Sequence, residues 1–331
     1  MHASAVTFME PGRVEVYQVD LPEPAGGQLL VRTLFSGISA GSELLAYRGE
    51  VDPDLALDES LSGLTGNFGY PFHYGYSCVG RVERSRAAGV VEGALVFAFH
   101  PHQDRFVVSA ADAVVLAGVE PRVATLFPLV ETALQVALDA GPVLERQVVV
   151  VGLGVLGILC AAMLQRAGAR VVAAEPRQWR REAAEAFGVR GVPPEALATT
   201  VGEISEGRGV PLVVEATGTP EALVSALPLL AHEGTALVAS WYGARRAALP
   251  LGAEFHRRRL TIRSTQVSTI PGWQSGTWST ERRRAVTRRL LGELPLEVLA
   301  THTFPLAEAA AAYAALDRGE PGLLQAALCY G

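Results

Sequence analysis

Three glycines and one acid carry the clearest chemistry in this chain. Gly152, Gly154 and Gly157 are spaced G-x-G-x-x-G, directly after the apolar run QVVVV and at the head of ILCAAMLQRAG. Each glycine answers a separate need: a tight turn, close approach of backbone to a pyrophosphate, and close packing of helix on strand. The first N–H groups of that helix, at Val155 and Leu156, have no intrahelical partner and favour an anion. Glu175 lies 18 residues past Gly157 (175 − 157), at the end of the next strand. A carboxylate there accepts from ribose hydroxyls. It also repels a 2′-phosphate and so favours NAD, whereas Arg177, Arg180 and Arg181, which follow it, can pair with the phosphate of NADP. His100 and His102 flank Pro101, a spacing that on a strand turns both rings to one face.

Composition removes several alternatives. All 28 basic residues are arginine. Without lysine there is no Walker A phosphate loop, no Schiff base and no Tyr-x-x-x-Lys pair. The net charge of −6 disfavours a nucleic-acid partner, so the RRR runs at 257–259 and 282–284 read as solvated helix faces. No apolar run approaches the length needed to span a membrane, and the N-terminus lacks the basic-then-apolar pattern of a signal peptide. Cys78, Cys160 and Cys329 are too far apart for a disulfide framework or a CxxC metal site, and fit a reduced cytoplasm.

The elements that must position these residues fall into two groups, as 331 residues at 49% apolar allow. AVTFME, RVEVYQVD, QLLVRTLFSG, GYPFHYGYSCVGRVE and GALVFAFHPHQDRFVV alternate like strands, with Gly and Pro between them. From VATLFPLVETALQVALDAG onward, helices and strands alternate through GTALVASWYG, the pattern of a doubly wound parallel sheet. The tail, 281–331, predicts helix, strand, helix and strand. Residues 57–71, LDESLSGLTGNFGYP, read as an ordered glycine-rich loop.

Over essentially its whole length the chain resembles the medium-chain dehydrogenase/reductase superfamily, the zinc-type alcohol dehydrogenases and their relatives. The resemblance rests on SGISAGSE (36–43), YGYSCVGRVE (74–83), PHQ (101–103), VETAL (130–134), VVVVGLGVLG (148–157), EATGTP (215–220) and FHRRRLTIRST (255–265), in that order. It implies an α/β protein: a β-rich GroES-like catalytic domain, 1–128 and 268–331, around a Rossmann dinucleotide-binding domain, 129–267. Thr217 and Glu131 are then placed beside the cofactor.

In zinc members the first ligand is the cysteine of a G-I-C loop and the second the histidine of a G-H-E segment. Here those positions hold Ser39 and Tyr76, in Gly75-Tyr76-Ser77, and the four-cysteine structural lobe is missing. Serine and tyrosine are poor zinc ligands at neutral pH. His73, His100 and His102 with Glu43 form either a replacement metal set or a polar pocket wall; the expectation is no zinc. By the same resemblance, the loops carrying Ser39 to Glu43, His73 to Tyr76 and His100 to His102 surround the substrate. Hydroxyl and imidazole groups then take over polarisation and proton delivery. The expected activity is hydride transfer between a nicotinamide, NAD or NADP, and an alcohol or carbonyl on a small molecule. Reduction of an activated C=C bond and cofactor binding without turnover are the alternatives. Trp273 and Trp278 either cover a pocket mouth or, as such tryptophans more often do, simply pack. The resemblance also implies a homodimer, which the strand GTALVASWYG could join edge to edge.

Overall fold

The computed structural model describes residues 1–61 and 63–331; Ser62, in the glycine-rich loop at 57–71, lies outside the described residues. Two compact units emerge, Met1–Pro128 with Leu291–Gly331, and Leu129–Leu290.

The first unit opens with β1 (His2–Glu10) and β2 (Arg13–Asp20), paired antiparallel. β3 (Gln28–Ile38) leads through residues 39–42 into the short helix α1 (Glu43–Arg48), which Gly49 ends in a left-handed conformation. β4 (Cys78–Ser85), β5 (Leu95–Ala98), β6 (Arg105–Ser109) and β7 (Ala113–Val115) follow, then one turn of helix, α2 (Pro121–Ala124). Pro101 interrupts the run between β5 and β6, so His100 and His102 lie in irregular backbone and not on one strand face.

The second unit begins in α3 (Phe127–Ala140) and alternates strictly: β8 (Gln147–Val151), α4 (Val155–Arg166), β9 (Arg170–Ala174), α5 (Gln178–Glu185), β10 (Arg190–Val192), α6 (Pro194–Ile204), β11 (Val210–Glu215), α7 (Pro220–Ala226), β12 (Leu230–Val238) and β13 (Thr261–Ser264). The strands run parallel in the order β10-β9-β8-β11-β12-β13. Val148, Val149 and Val150 are fully buried, as a central parallel strand covered on both faces requires. The order reverses between β8 and β11, and ligands of such sheets bind beyond the carboxyl ends of the strands at that point. β12 is flanked by both β11 and β13. The free edge on that side is therefore β13, not the GTALVASWYG strand expected to carry a dimer.

α8 (Thr280–Leu290) closes this unit, so the second boundary falls later than the expected 267/268. Its cause is visible in Arg283. Far from solvating a helix face, Arg283 is 2% exposed and donates to Glu131 (3.1 Å) and Gln135 (2.5 Å) of α3. The chain then returns to the first unit as β14 (His302–Pro305), α9 (Ala309–Arg318) and β15 (Ala326–Cys329), completing a seven-stranded sheet in which β15 pairs with β3. Phe8, Tyr313, Phe72 and Tyr74 form the aromatic centre of that unit's core. Among the described residues no helix is long and apolar enough to cross a membrane.

Candidate active site

The glycine motif folds as a cradle at the switch point. Gly152 leaves β8 at φ +96°, a backbone that side chains rarely adopt, and a Cβ there would meet Ala216 O at 2.8 Å and the Thr217 methyl at 2.9 Å. A Cβ on Gly157 would sit 1.9 Å from Gly152 O, so only glycine lets α4 press against the turn. Around Gly154, the N-cap of α4, an added Cβ meets nothing within 4 Å. Open space in front of a helix N-terminus suits a pyrophosphate, and Val155 and Leu156 supply the N–H groups.

Glu175 ends β9 as expected, but its carboxylate is 3% exposed. One oxygen accepts from Leu153 N (3.0 Å), the other from Arg177 N (3.1 Å), and Arg180 Nη1 lies 3.8 Å away. It is first a brace for the glycine-rich turn, with lone pairs on each oxygen left for ribose hydroxyls. Arg177 is exposed, and Arg181 is spent on the carbonyls of Glu175 and Pro176. Arg180 stacks on Trp179, and its Nε is buried without a hydrogen-bond partner. The sequence reading missed Glu215, which is fully buried at the end of β11. It accepts from Thr217 N (2.6 Å), Thr217 Oγ1 (2.5 Å) and Tyr242 O–H (2.5 Å), and so fixes the Thr217 wall against Gly152.

Glu131, expected beside the cofactor, is turned towards α8. It is 2% exposed and ion-paired with Arg283, and burial raises its pKa against the pull of that arginine. Trp273 and Trp278 carry the guanidinium groups of Arg263 and Arg282 over their rings.

In the first unit the predicted side chains separate into distinct groups. Ser42 Oγ donates to Ser39 Oγ (3.3 Å) and shares a 2.7 Å hydrogen bond with Tyr76 O–H. Ser42 and Tyr76 are partly exposed. Burial, then the nearby Glu43 carboxylate, push the Tyr76 hydroxyl up to about 12, so at neutral pH it keeps its proton. Glu43 and His102 are fully buried and bonded to each other (2.8 Å). Tyr313 O–H donates to the same Glu43 oxygen at 2.5 Å, and Ser39 N–H to the other at 2.7 Å. His73 is apart from this group, its Nδ1 within 3.2 Å of Thr7 Oγ1 and 3.1 Å of Val6 O. His100 also stands apart, stacked on Phe106 with Nδ1 3.0 Å from Pro101 O, and burial drops its pKa to about 4. The structure thus unites Ser39, Glu43, Tyr76 and His102, and leaves His73 and His100 out. Tyr313 was invisible in sequence, a single tyrosine in an alanine-rich helix.

No group of three or more His, Cys, Asp or Glu able to hold a metal ion occurs among the described residues. At the two family ligand positions the groups are the hydroxyls of Ser39 and Tyr76, tied together through Ser42, and that donor set does not fit zinc.

A parallel sheet with this cradle is the class of unit that binds a dinucleotide, and the β-rich unit separately carries a polar loop cluster. A zinc-binding dehydrogenase family model matches residues 155–284. The chain is similar to 2-desacetyl-2-hydroxyethyl bacteriochlorophyllide A dehydrogenase of Cereibacter sphaeroides, 29% identical over 95% of this chain and 94% of that one. Among solved structures it resembles 2R,3R-butanediol dehydrogenase from Bacillus subtilis, with TM-score 0.81 and 17% identity over 99% of this chain and all of that one. It also resembles an alcohol dehydrogenase from E. coli CFT073 complexed with NADH, with TM-score 0.78 and 18% identity over 99% of each chain. Over nearly its whole length the chain is thus similar to dehydrogenases of the zinc-type alcohol dehydrogenase-like kind, and its residues 155–284 match the family model.

Proposed function

We propose that the protein is a zinc-independent, nicotinamide-dependent oxidoreductase acting on the hydroxyl or carbonyl of a small molecule. The observation that carries this reading is the cradle at the head of α4, where Gly157 packs on Gly152 O and space is left at Gly154. The relatives support it by being dehydrogenases, one of them holding NADH. Bound nicotinamide supplies or accepts the hydride. The chain's own part is the proton. Tyr76 gives its O–H proton to the substrate oxygen as negative charge grows there; Ser42, backed by Ser39, turns its hydroxyl to reprotonate the Tyr76 oxygen, and solvent water at the partly exposed Ser42 restores the Ser42 proton. NAD is the preferred cofactor because of the Glu175 carboxylate, with NADP admitted through Arg177 and Arg180.

Hydride addition to an activated C=C bond is the second reading. It is favoured by hydroxyl donors at Ser39 and Tyr76, since an enone needs only modest polarisation of its oxygen. A panel of alcohols, ketones and enones, assayed with NADH and NADPH and their oxidised forms, tests both readings. Carbonyl or alcohol turnover that survives chelator treatment supports the first, and saturation of the enone C=C the second. Turnover of nothing sinks both, and loss of turnover on metal removal sinks the zinc-independent part. We also propose a cytoplasmic homodimer; light scattering that gives a monomer mass would refute the assembly.

A further inference from the structure

Glu43, His102 and Tyr313 are buried beyond the reach of a substrate, yet they sit directly behind the hydroxyl chain. Glu43 Oε1 accepts from Ser39 N–H, and its Oε2 takes both His102 Nε2–H and Tyr313 O–H. A carboxylate only accepts, so Nε2 carries the proton there. The other ring nitrogen, Nδ1, lies 2.7 Å from Ser36 Oγ, which lies 2.7 Å from Tyr330 O–H. Gly75, at φ +103°, leaves room for the imidazole: a Cβ there would meet the ring at 2.5 Å. One carboxylate and one imidazole therefore join loop 39–43, segment 73–77, the backbone around Pro101, α9 and the C-terminal residues after β15.

A buried ionisable pair is a costly way to fill a core, and apolar side chains of equal volume usually do as well. What Glu43 provides and an apolar residue lacks is an acceptor aimed at the Ser39 backbone. We propose that Glu43, held by Tyr313 and His102, is a positioning unit that sets Ser39 and Ser42 so that Tyr76 delivers its proton. Hydrogen bonds here take over the cross-linking of substrate loops that a metal would otherwise perform. The inference rests on the reading of Tyr76 as proton donor.

The test uses Glu43→Gln and Tyr313→Phe in the full chain. Two readouts are taken below the melting temperature of each variant: the split between kcat and KM, and the 19F spectrum of 3-fluorotyrosine-labelled protein. The Tyr76 resonance is assigned by its loss in Tyr76→Phe. Misplacing a reacting group is costly, so kcat is expected to fall about tenfold with cofactor Kd and substrate KM unchanged. The Tyr76 resonance is expected to move in both variants. Wild-type kcat and an unmoved Tyr76 resonance, with only a lower melting temperature, would overturn the proposal in favour of a plain core role. If Glu43→Gln does not fold, Tyr313→Phe decides. If the wild type turns over no substrate, the functional reading fails, and the Tyr76 resonance alone decides whether the positioning unit exists.

Discussion

Gly154 and Gly157 stand three residues apart and do opposite things, which makes them the sharpest test at the scale of single residues. A methyl at Gly157 has no room against Gly152 O, so Gly157→Ala should destabilise the protein by about 1–3 kcal/mol, as overpacking does. Gly154→Ala should leave the urea midpoint of the free protein unchanged and weaken nicotinamide binding, because the space it fills is the ligand's. Equal stability of the two variants would refute the cradle geometry. His100 gives a second prediction. Burial lowers its folded pKa to about 4, from an ordinary value near 6.5 in the unfolded chain. Its contribution is present above pH 6.5 and is lost as pH falls towards 4, because the unfolded ring takes up the proton first. His100→Gln should therefore lose less stability than the wild type between pH 7 and pH 4.5. Parallel losses in urea titrations at the two pH values would refute the assignment.

At the scale of elements, the packing of α8 on α3 turns on one buried ion pair. Arg283 and Glu131 are both nearly inaccessible, and Gln135 takes a second guanidinium hydrogen bond. Glu131→Ala strands the charge of Arg283 and should cost about 3–5 kcal/mol, whereas the paired change Glu131→Leu with Arg283→Met should restore most of that. Urea midpoints of the three proteins decide it; a mild effect of Glu131→Ala would mean that Gln135 and solvent suffice. Sequence periodicity located both helices, since VETALQVALDAG and ERRRAVTRRLL each repeat at helical spacing. It could not say that the middle arginine of an RRR run turns inward, because the pattern of charges on a helix does not reveal which face meets a neighbour.

For the whole molecule, the testable statement is that the parallel-sheet unit gains stability from its ligand. A nicotinamide dinucleotide at about 100 times its Kd should add about 2.7 kcal/mol, seen as a rise in the calorimetric transition. A rise with NADH and a smaller one with NADPH at equal concentration would support Glu175 over the arginines. No rise with either would leave the cradle without its proposed occupant. The division into Met1–Pro128 with Leu291–Gly331 and Leu129–Leu290 makes this informative, because the glycines, Glu175 and Glu215 all lie in the second unit.

The amino-acid sequence alone determined the alternating parallel sheet, the glycine cradle with Glu175 beyond it, the absence of lysine chemistry and the hydroxyls at the two zinc positions. The sheet pattern and the cradle are local, residue identities and spacings within about one strand–helix–strand unit; the missing lysine is a matter of composition, and the two zinc positions came from the family resemblance. The tertiary structure decided which polar groups are buried and what each one meets. Tyr313 reaches Glu43 across 270 residues of chain, Arg283 reaches Glu131 across 152, and Pro101 parts His100 from His102. A buried polar group needs a partner wherever the fold can supply one, and such partners come from segments distant in sequence. Spacing carries no signal for them, so the support behind Ser39 and Tyr76 became visible only once the chain was folded.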